Sequence, residues 1–363
     1  MIVYIVLFSI INLMGFFIFG KGVSMRRNRL FLFASFIPIF LVQALRSYNV
    51  GSDSLTYYFA FISINSNSTG YIVDTWEPLY IVINKLIGAF TNNPQWLFVV
   101  SSLLIDIGVI IFIFNNLEDG KSAFWPVFFW FICTCFFNSM NTLRQQIALS
   151  IVVNIYTILR KERTKRAYIA SASLLVVGML FHTMSIVATL YMVPFLFYWD
   201  KKQDLLFASL LAAAIVVLSS TLVSYALIIF PKYAKYADTF YFDEAGMSMY
   251  NLAMIMVNVI FLIEVFVTSD YDAYSRNIVF PLSFFAILSI TVYIVKAKIF
   301  IVGRLVYYFD FFEILFFPCM INRIKQRQVI YFFTLLAGWA LFLYMLYSGQ
   351  ATRGCIPYMF FWQ

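Results

Sequence analysis

The sequence predicts an all-α fold, a polytopic integral membrane protein built as a helical bundle, and three observations support this. First, 63% of the 363 residues are hydrophobic, only 12% are charged, and the mean hydropathy is +0.87. A water-soluble fold could not cover so much apolar surface with so few polar side chains. Second, the apolar residues form continuous runs of about 20, the length that a helix needs to cross the hydrocarbon. Third, basic residues gather in short loops between those runs. A soluble enzyme, a secreted disulfide scaffold and a disordered chain are therefore excluded.

About twelve transmembrane helices can be placed along the chain. They are predicted near residues 2–20, 29–46, 96–115, 122–138, 143–159, 166–181, 185–199, 204–225, 250–268, 277–295, 305–320 and 328–346. One further apolar stretch, Pro78 to Phe90, is too short to cross and is predicted to form a short re-entrant or interfacial helix. Because no change in composition marks a soluble domain, the whole chain, 1–363, is predicted to be a single membrane-embedded domain.

The basic loops predict the orientation of these spans. Residues 21–29 are rich in Lys and Arg, and residues 160–166 read RKERTKR, so both loops are expected on the cytoplasmic side. They share a side only if the stretch from Pro78 to Phe90 does not cross. The twelve spans then place both termini outside, and they leave two long outer loops, at about 47–95 and about 226–249.

Several basic residues remain on the outer side and contradict the usual positive-inside bias. They are Arg46, Lys85, Arg144, Lys232, Lys235, Lys296, Lys298, Arg304 and Arg353. A function that requires positive charge at the outer membrane face would account for them.

The first outer loop contains four candidate residues. Asp53 and Tyr57 are four positions apart and share a face if the segment is helical. Arg46 ends the preceding helix and is expected to point into this loop. Glu77 stands directly before Pro78, where a carboxylate is favoured by the positive end of a helix. The alternative for Asp53 and Glu77 is that they are ordinary loop acids.

Two later helix boundaries contain further candidates. Arg144 follows Asn141 and lies one turn into an apolar helix, where a cation is costly unless it meets an anion, a cavity or a partner. Snorkelling to the interface is the alternative. His182, the one histidine of the chain, lies at an outer turn near Ser185 and could act as a general base or bind phosphate. It could equally be hydrogen-bonded within the bundle.

The second outer loop and a late helix add weaker candidates. Lys232 and Lys235 stand among tyrosines, a composition that suits sugars and phosphates but also an interfacial belt. Arg304 lies near the top of a later helix. Four acids at membrane depth are interpreted first as structurally paired groups, and they are Asp106, Glu264, Asp310 and Glu313.

The sequence contains no metal-binding motif and no nucleotide-binding glycine loop. No cofactor is therefore predicted. A cluster of cations, one histidine and a few acids fits a metal-independent site for a lipid-linked phosphate or diphosphate. Arginine suits such a site because its guanidinium grips phosphate oxygens in a bidentate manner.

These residues, in this order, resemble the EpsG-like family of polysaccharide polymerases, which belongs with the Wzy-type O-antigen polymerases. The matching motifs are R-x6-D-x3-Y (Arg46, Asp53, Tyr57), Glu77 before the short helix, N-x2-R-x2-I-A (Asn141, Arg144, Ile147, Ala148), F-H-x2-S (Phe181, His182, Ser185), Lys235–Tyr236, Arg304 and the terminal Ile356–Pro357–Tyr358. The sequence departs from the family at Pro78–Leu79, where a pair of small residues is usual.

The resemblance implies a glycosyltransferase in the bacterial inner membrane, with its active site facing the periplasm. Such enzymes transfer a growing glycan from undecaprenyl diphosphate to the non-reducing end of the next lipid-linked unit, in O-antigen (lipopolysaccharide) or exopolysaccharide biosynthesis. Three residues compete for the role of base, and they are His182, Asp53 and Glu77. The candidates for binding the diphosphate or the substrate are Arg46, Arg144, Lys235, Arg304, Asn141, Tyr57 and Lys232.

The implied partners are the lipid-linked oligosaccharide donor and acceptor, membrane lipids and a chain-length regulator protein, with no nucleic acid. Two other functions stay open at this point. One is a flippase or transporter for the same lipid-linked oligosaccharide, and the other is an outer-leaflet acyltransferase or ligase that modifies glycans.

Overall fold

The structure is a computed structural model that describes residues 1–66, 75–197, 202–229, 246–268 and 273–363. Within these ranges the chain is helical, as predicted, and no β-strand forms. An isolated antiparallel bridge pairs Arg46 with Phe360.

The α-helices of the described residues follow one another closely. They are α1 (Ile2–Phe19), α2 (Met25–Ala44), α3 (Ser54–Asn65), α4 (Pro78–Gly88), α5 (Gln95–Asn116), α6 (Phe124–Ile132), α7 (Cys135–Asn141), α8 (Leu143–Val152), α9 (Asn154–Lys161), α10 (Lys165–Phe181), α11 (Val193–Leu196), α12 (Lys202–Val217), α13 (Ser219–Ile229), α14 (Met249–Thr268), α15 (Phe280–Lys298), α16 (Gly303–Asp310), α17 (Glu313–Arg323) and α18 (Arg327–Ser348). The 3₁₀ segments Thr183–Met192 and Phe300–Val302 and the π-helical turn Ser275–Val279 lie between them.

Five helices of the described residues are long and apolar enough to cross a membrane. They are α1, α5, α14, the continuous helix Ser275–Lys298 and α18. The pair α12 and α13, which is bent by 75°, would make a sixth if it forms one span. A membrane protein is therefore supported, but the predicted count of about twelve spans is not confirmed.

Breaks inside predicted spans explain much of this difference. The predicted span 122–138 ends as a helix at Ile132 and resumes at Cys135, because Thr134 adopts a left-handed conformation with φ 60°. The predicted span 143–159 breaks at Val153. Nearly every side chain from 124 to 153 is buried in the protein. Hydropathy alone does not separate such short, protein-covered helices from a continuous lipid-facing span.

The short apolar stretch after Glu77 forms α4, a helix of 11 residues. At about 1.5 Å per residue it reaches roughly half of the hydrocarbon thickness. It packs against α3, and the Asn65 side chain donates a hydrogen bond to the Asn84 carbonyl at 3.3 Å. The predicted loop 47–95 thus contains a pair of short helices.

The chain divides into two compact units, Met1–Leu190 with Tyr331–Gln363 and Tyr191–Ile330. In the first unit, Phe8 of α1 is fully buried, and its ring centroid lies 4.4 Å from Phe342, 4.6 Å from Trp339 and 5.3 Å from Phe131. Lipid tails are as apolar as phenylalanine, so these contacts stabilise the unit through close packing instead of through escape from water.

In the second unit, α15 packs against α12, α14 and α16. Glu313 is buried there, and its Oε1 accepts hydrogen bonds from Asn258 Nδ2 at 2.7 Å and from Ser289 Oγ at 2.8 Å. This acid is structurally paired, as its position at membrane depth predicted. Arg304 belongs to the same unit and is the second residue of α16.

The C-terminal segment, residues 349–363, lies across the start of the predicted first loop. The Ser47 amide donates to the Met359 carbonyl at 2.9 Å, and the Ser52 amide donates to the Arg353 carbonyl at the same distance. The Tyr4 hydroxyl donates to the Cys355 carbonyl at 2.7 Å. The segment therefore joins α1 to the loop that leads into α3.

Replacing Gly354 by alanine is expected to destabilise this contact. Gly354 has φ +73°, and a Cβ there would lie 3.0 Å from the Ser52 backbone nitrogen. Gly349 provides a matched control, because it also has a positive φ (+68°) but open space around its Cβ. Gly349→Ala is expected to cost about 1–2 kcal/mol from the left-handed backbone alone, and Gly354→Ala more than that. Thermal unfolding in detergent compares them, and equal losses would contradict the close contact between Gly354 and Ser52.

Candidate functional site

Arg144 lies at the centre of a half-buried polar cluster in the first unit. It is the second residue of α8, directly after the break at Thr142 that separates α7 from α8. Its Nη1 lies 2.5 Å from Glu77 Oε2, and its guanidinium stands 4.1 Å from the centre of the Trp76 ring. A side-chain hydrogen bond also joins it to Tyr57. The guanidinium is thus held from three directions, while 19% of the side chain stays exposed.

Glu77 uses both of its carboxylate oxygens in this cluster. Oε2 meets Arg144, and Oε1 accepts hydrogen bonds from the Thr183 amide at 3.1 Å and from its hydroxyl at 3.0 Å. His182 Nδ1 lies 3.6 Å from the same Oε1, which is an ion-pair distance if the ring is protonated but too long for a hydrogen bond. Glu77 therefore connects α4, the start of α8 and the end of α10.

The elements around Glu77 and His182 explain why these side chains meet. Glu77 is in an extended conformation (φ −67°, ψ 140°) before Pro78, so its side chain turns away from α4 and makes no capping hydrogen bond to it. His182 follows the last residue of α10, and its amide donates to the Gly178 carbonyl at 2.8 Å. The helix ends there, and Thr183 begins the 3₁₀ segment with its amide directed at Glu77.

The net charge environment keeps Glu77 ionised. Burial raises the pKa of its carboxyl, but the charges of Arg144 and His182 and the hydrogen bond from the Thr183 amide outweigh burial, so the pKa lies below its ordinary 4.5. A carboxylate with a lowered pKa is a poor proton acceptor near neutral pH. The geometry of Glu77 thus suits positioning Arg144 and His182 better than it suits acting as a base.

This lowered pKa predicts how stability depends on pH. The stabilisation from the Glu77 carboxylate is complete above pH 4.5 and is lost as the pH falls through the lower folded-state pKa. The difference in melting temperature between the wild type and Glu77→Gln is therefore expected to shrink as the pH is lowered from 7 towards about 3. Asp119→Asn, at an exposed loop acid, is the control. A difference in melting temperature that stays constant over this range would contradict the lowered pKa of Glu77.

Three aromatic rings pack beside Arg144. They are Tyr57 of α3, Trp76, which precedes α4, and Tyr80 of α4, and their centroids lie 5.6–5.8 Å from one another. Tyr80 is fully buried, whereas Trp76 is half-exposed. The rings form a rigid wall, and a desolvated guanidinium over a tryptophan face gains a cation–π attraction.

Asp53 and Asn141 belong to a neighbouring polar group. Asn141 Oδ1 accepts hydrogen bonds from the Asp53 amide at 2.8 Å and from the Ser52 hydroxyl at 3.3 Å. Asp53 is half-exposed and immediately precedes α3, so it lies one helical turn from Tyr57. The segment with Asp53 and Tyr57 is thus helical, as their predicted shared face required. Through α3, the polar group of Asp53 and Asn141 is connected to the Arg144 cluster.

Arg46 is placed differently from the sequence-based expectation that it points into the loop. Its side chain is fully buried, and it donates hydrogen bonds to the Gln43 carbonyl and, at 3.0 Å, to the Met140 carbonyl. Its guanidinium stands 4.5 Å from the centre of the Phe98 ring. These contacts hold the start of the loop against α5 and α7. A role for Arg46 in diphosphate binding stays a prediction.

Three further predicted site residues do not belong to the described part of the first unit. Arg304 is in the second unit. Lys232 and Lys235 lie outside the described residues. In the described ranges, no group of three or more His, Cys, Asp and Glu side chains is arranged to hold a metal ion.

Sequence patterns missed two contributors to the cluster. Trp76 forms the surface under the Arg144 guanidinium, and Thr183 supplies two of the hydrogen bonds to Glu77. Trp76 directly precedes Glu77, and Thr183 directly follows His182, and both of these neighbours were predicted site residues. Adjacency to a candidate was the only available signal.

The apolar helices and the polar cluster together define a membrane protein with a cation-centred site. The chain belongs to the EpsG family, whose model matches residues 29–360. The match covers all the residues of the site, and it confirms the resemblance read from the motifs. At the level of the family it supports a polysaccharide polymerase, and hence a glycosyltransferase. Comparisons with curated proteins and with solved structures found no match.

Proposed function

We propose that this protein polymerises oligosaccharide repeat units carried on undecaprenyl diphosphate, at the periplasmic face of the bacterial inner membrane. The product would be an O-antigen or an exopolysaccharide. The observation that carries the proposal is Arg144, a partly exposed guanidinium held in place by Glu77, Tyr57 and Trp76. A fixed cation at a membrane protein's polar cluster is suited to an anionic leaving group.

The reaction moves one glycan from one lipid to another. A hydroxyl oxygen at the non-reducing end of the acceptor unit forms a bond to the anomeric carbon of the growing chain. The bond from that carbon to the diphosphate oxygen breaks, and its electron pair leaves with undecaprenyl diphosphate. The hydroxyl proton passes to a base. The products are a longer glycan on the acceptor lipid and one free undecaprenyl diphosphate.

Arg144 is proposed to stabilise the departing diphosphate. A guanidinium has five N–H donors, and Glu77 occupies only one edge of it. Because Glu77, Tyr57 and Trp76 already fix the side chain, little reorganisation is required when charge develops on the leaving group. The ion pair with Glu77 thus orients the cation and leaves other N–H donors of the guanidinium for the diphosphate.

His182 is proposed as the base. It lies 3.6 Å from Glu77, and a carboxylate beside an imidazole stabilises the imidazolium that forms when the ring accepts a proton. Asp53, half-exposed at the start of α3, is the competing base. Asn141 fixes the Asp53 backbone and is proposed to position this side of the site.

A reconstituted reaction tests the proposed function. The purified protein in proteoliposomes is supplied with one defined undecaprenyl-diphosphate-linked repeat unit and no other protein. We expect longer glycans on lipid, with one free undecaprenyl diphosphate for each bond formed. Transfer of the lipid across the bilayer without lengthening would indicate a flippase. Modification of a glycan without release of undecaprenyl diphosphate would indicate an acyltransferase. Transfer of the glycan to an acceptor other than a lipid-linked unit would indicate a ligase. The distribution of product lengths, with and without added membrane proteins, would reveal a chain-length regulator.

A further inference from the structure

We infer that Arg353, on the C-terminal segment, is a second phosphate-binding residue of this site and serves the other lipid-linked substrate. The inference rests on the proposed function, because transfer between two lipid-linked units brings two diphosphates to one site. Two such anions repel each other strongly, and Arg144 alone cannot neutralise both. A second cation near the first is therefore needed.

The C-terminal segment presents Arg353 beside the start of α3. Its carbonyl accepts hydrogen bonds from the Ser52 amide at 2.9 Å and from the Ser52 hydroxyl at 3.0 Å. Its side-chain Nε donates to Asn138 Oδ1 at 3.3 Å. Both the backbone and the guanidinium of Arg353 are thus positioned, although the side chain is half-exposed.

One polar network joins Arg353 to a predicted catalytic residue. The single hydroxyl proton of Ser52 is shared between the Arg353 carbonyl and Asn141 Oδ1, and the Asn141 oxygen also accepts from the Asp53 amide. Asn138 and Asn141 are both on α7, one turn apart. Arg353 therefore lies on the Asp53 side of α3, whereas Arg144 of α8 is hydrogen-bonded to Tyr57, one turn further along α3. The two arginines thus contact different positions of this segment, Ser52 and Tyr57, an arrangement that suits two anions held apart.

The backbone conformation of Arg353 also supports the inference. Its φ is +54°, in the left-handed region that favours glycine. Ala351 shares this conformation, so the strain by itself does not identify a function. A long cationic side chain at a strained position, with its guanidinium fixed by an asparagine, is however the arrangement expected where the side chain has a task beyond forming the turn.

Binding stoichiometry tests the inference. The probe is undecaprenyl diphosphate, added to the purified protein in phosphatidylcholine nanodiscs and measured by titration calorimetry. We expect two lipids per wild-type chain, and one per chain, or a second that binds at least about tenfold more weakly (1.4 kcal/mol), for Arg353→Gln. Arg353→Lys keeps the charge and is expected to recover most of the second binding. Undecaprenyl monophosphate and nanodiscs containing phosphatidylglycerol show whether a diphosphate or any anionic headgroup is recognised, and strong competition by phosphatidylglycerol would overturn the inference.

Further variants separate this role from a structural one. Arg353→Gly removes the side chain and relieves the left-handed strain, so it is expected to keep or raise the melting temperature while it raises the KM for the lipid-linked unit. Arg26→Gln, at an exposed arginine of α2, is the matched control. If the wild type lengthens glycans and Arg353→Gln binds two lipids and works equally well, the inference fails and the proposed function survives. If the wild type neither binds undecaprenyl diphosphate nor lengthens glycans, the proposed function itself fails.

Discussion

Arg144→Gln is expected to abolish chain elongation while the protein is still inserted in the membrane at normal levels. Removing a fixed cation from a developing anionic leaving group costs about 10²–10³ in rate when one donor is lost, and the guanidinium offers more than one. The glycan ladder on a gel, from cells that express only the variant, measures the effect. We expect a single repeat unit per lipid carrier, and a normal ladder from a normally expressed variant would refute the role of Arg144.

A structural effect must be separated from this chemical one. Arg144→Gln leaves Glu77 buried beside His182 and Thr183, and breaking a buried ion pair from one side costs about 3–5 kcal/mol. The double variant Glu77→Gln/Arg144→Gln removes both charges and is expected to recover most of the lost melting temperature. It should nevertheless stay inactive. Arg26→Gln again serves as the control for loss of an exposed arginine.

The residues of the candidate site were largely predictable, but the contacts between them were not. Arg144 was predicted because a cation in an apolar helix is costly unless it has a partner or a function. His182 was predicted because it is the one histidine of the chain. The sequence could not pair Arg144 with Glu77, which is 67 positions away. Without that pairing, Glu77 was grouped with the bases, whereas its contacts favour a positioning role.

The fold was predictable at the level of class for a similar reason. Composition and apolar run length determine that the chain is helical and membrane-embedded. The break at Thr134 contains neither glycine nor proline, so no local residue preference marks it. The position of the C-terminal segment was missed, because the hydrogen bonds from the Ser47 and Ser52 amides that hold it join backbone groups, and such bonds carry no side-chain signature.

His182→Gln is expected to lower the rate of chain elongation by about 10²–10⁴, because glutamine can form hydrogen bonds but cannot accept the hydroxyl proton. The initial rate of undecaprenyl diphosphate release by the purified protein, followed from pH 5 to pH 9, measures the effect. The wild-type rate should fall on the acidic side of this range, because a protonated imidazole can no longer accept the hydroxyl proton. The variant should lack this acidic limb and keep its KM for the lipid-linked unit.

Asp53→Asn distinguishes the two candidate bases, because it preserves the backbone amide that Asn141 holds and removes only the charge. If His182 is the base, Asp53→Asn keeps the acidic limb and loses far less activity than His182→Gln. If Asp53 is the base, Asp53→Asn is the variant that loses the acidic limb and most of the activity, and His182→Gln keeps both. Glu77→Gln provides a third comparison. A positioning role for Glu77 predicts a lower rate without loss of the acidic limb, since His182 still accepts the proton but is no longer held beside a carboxylate.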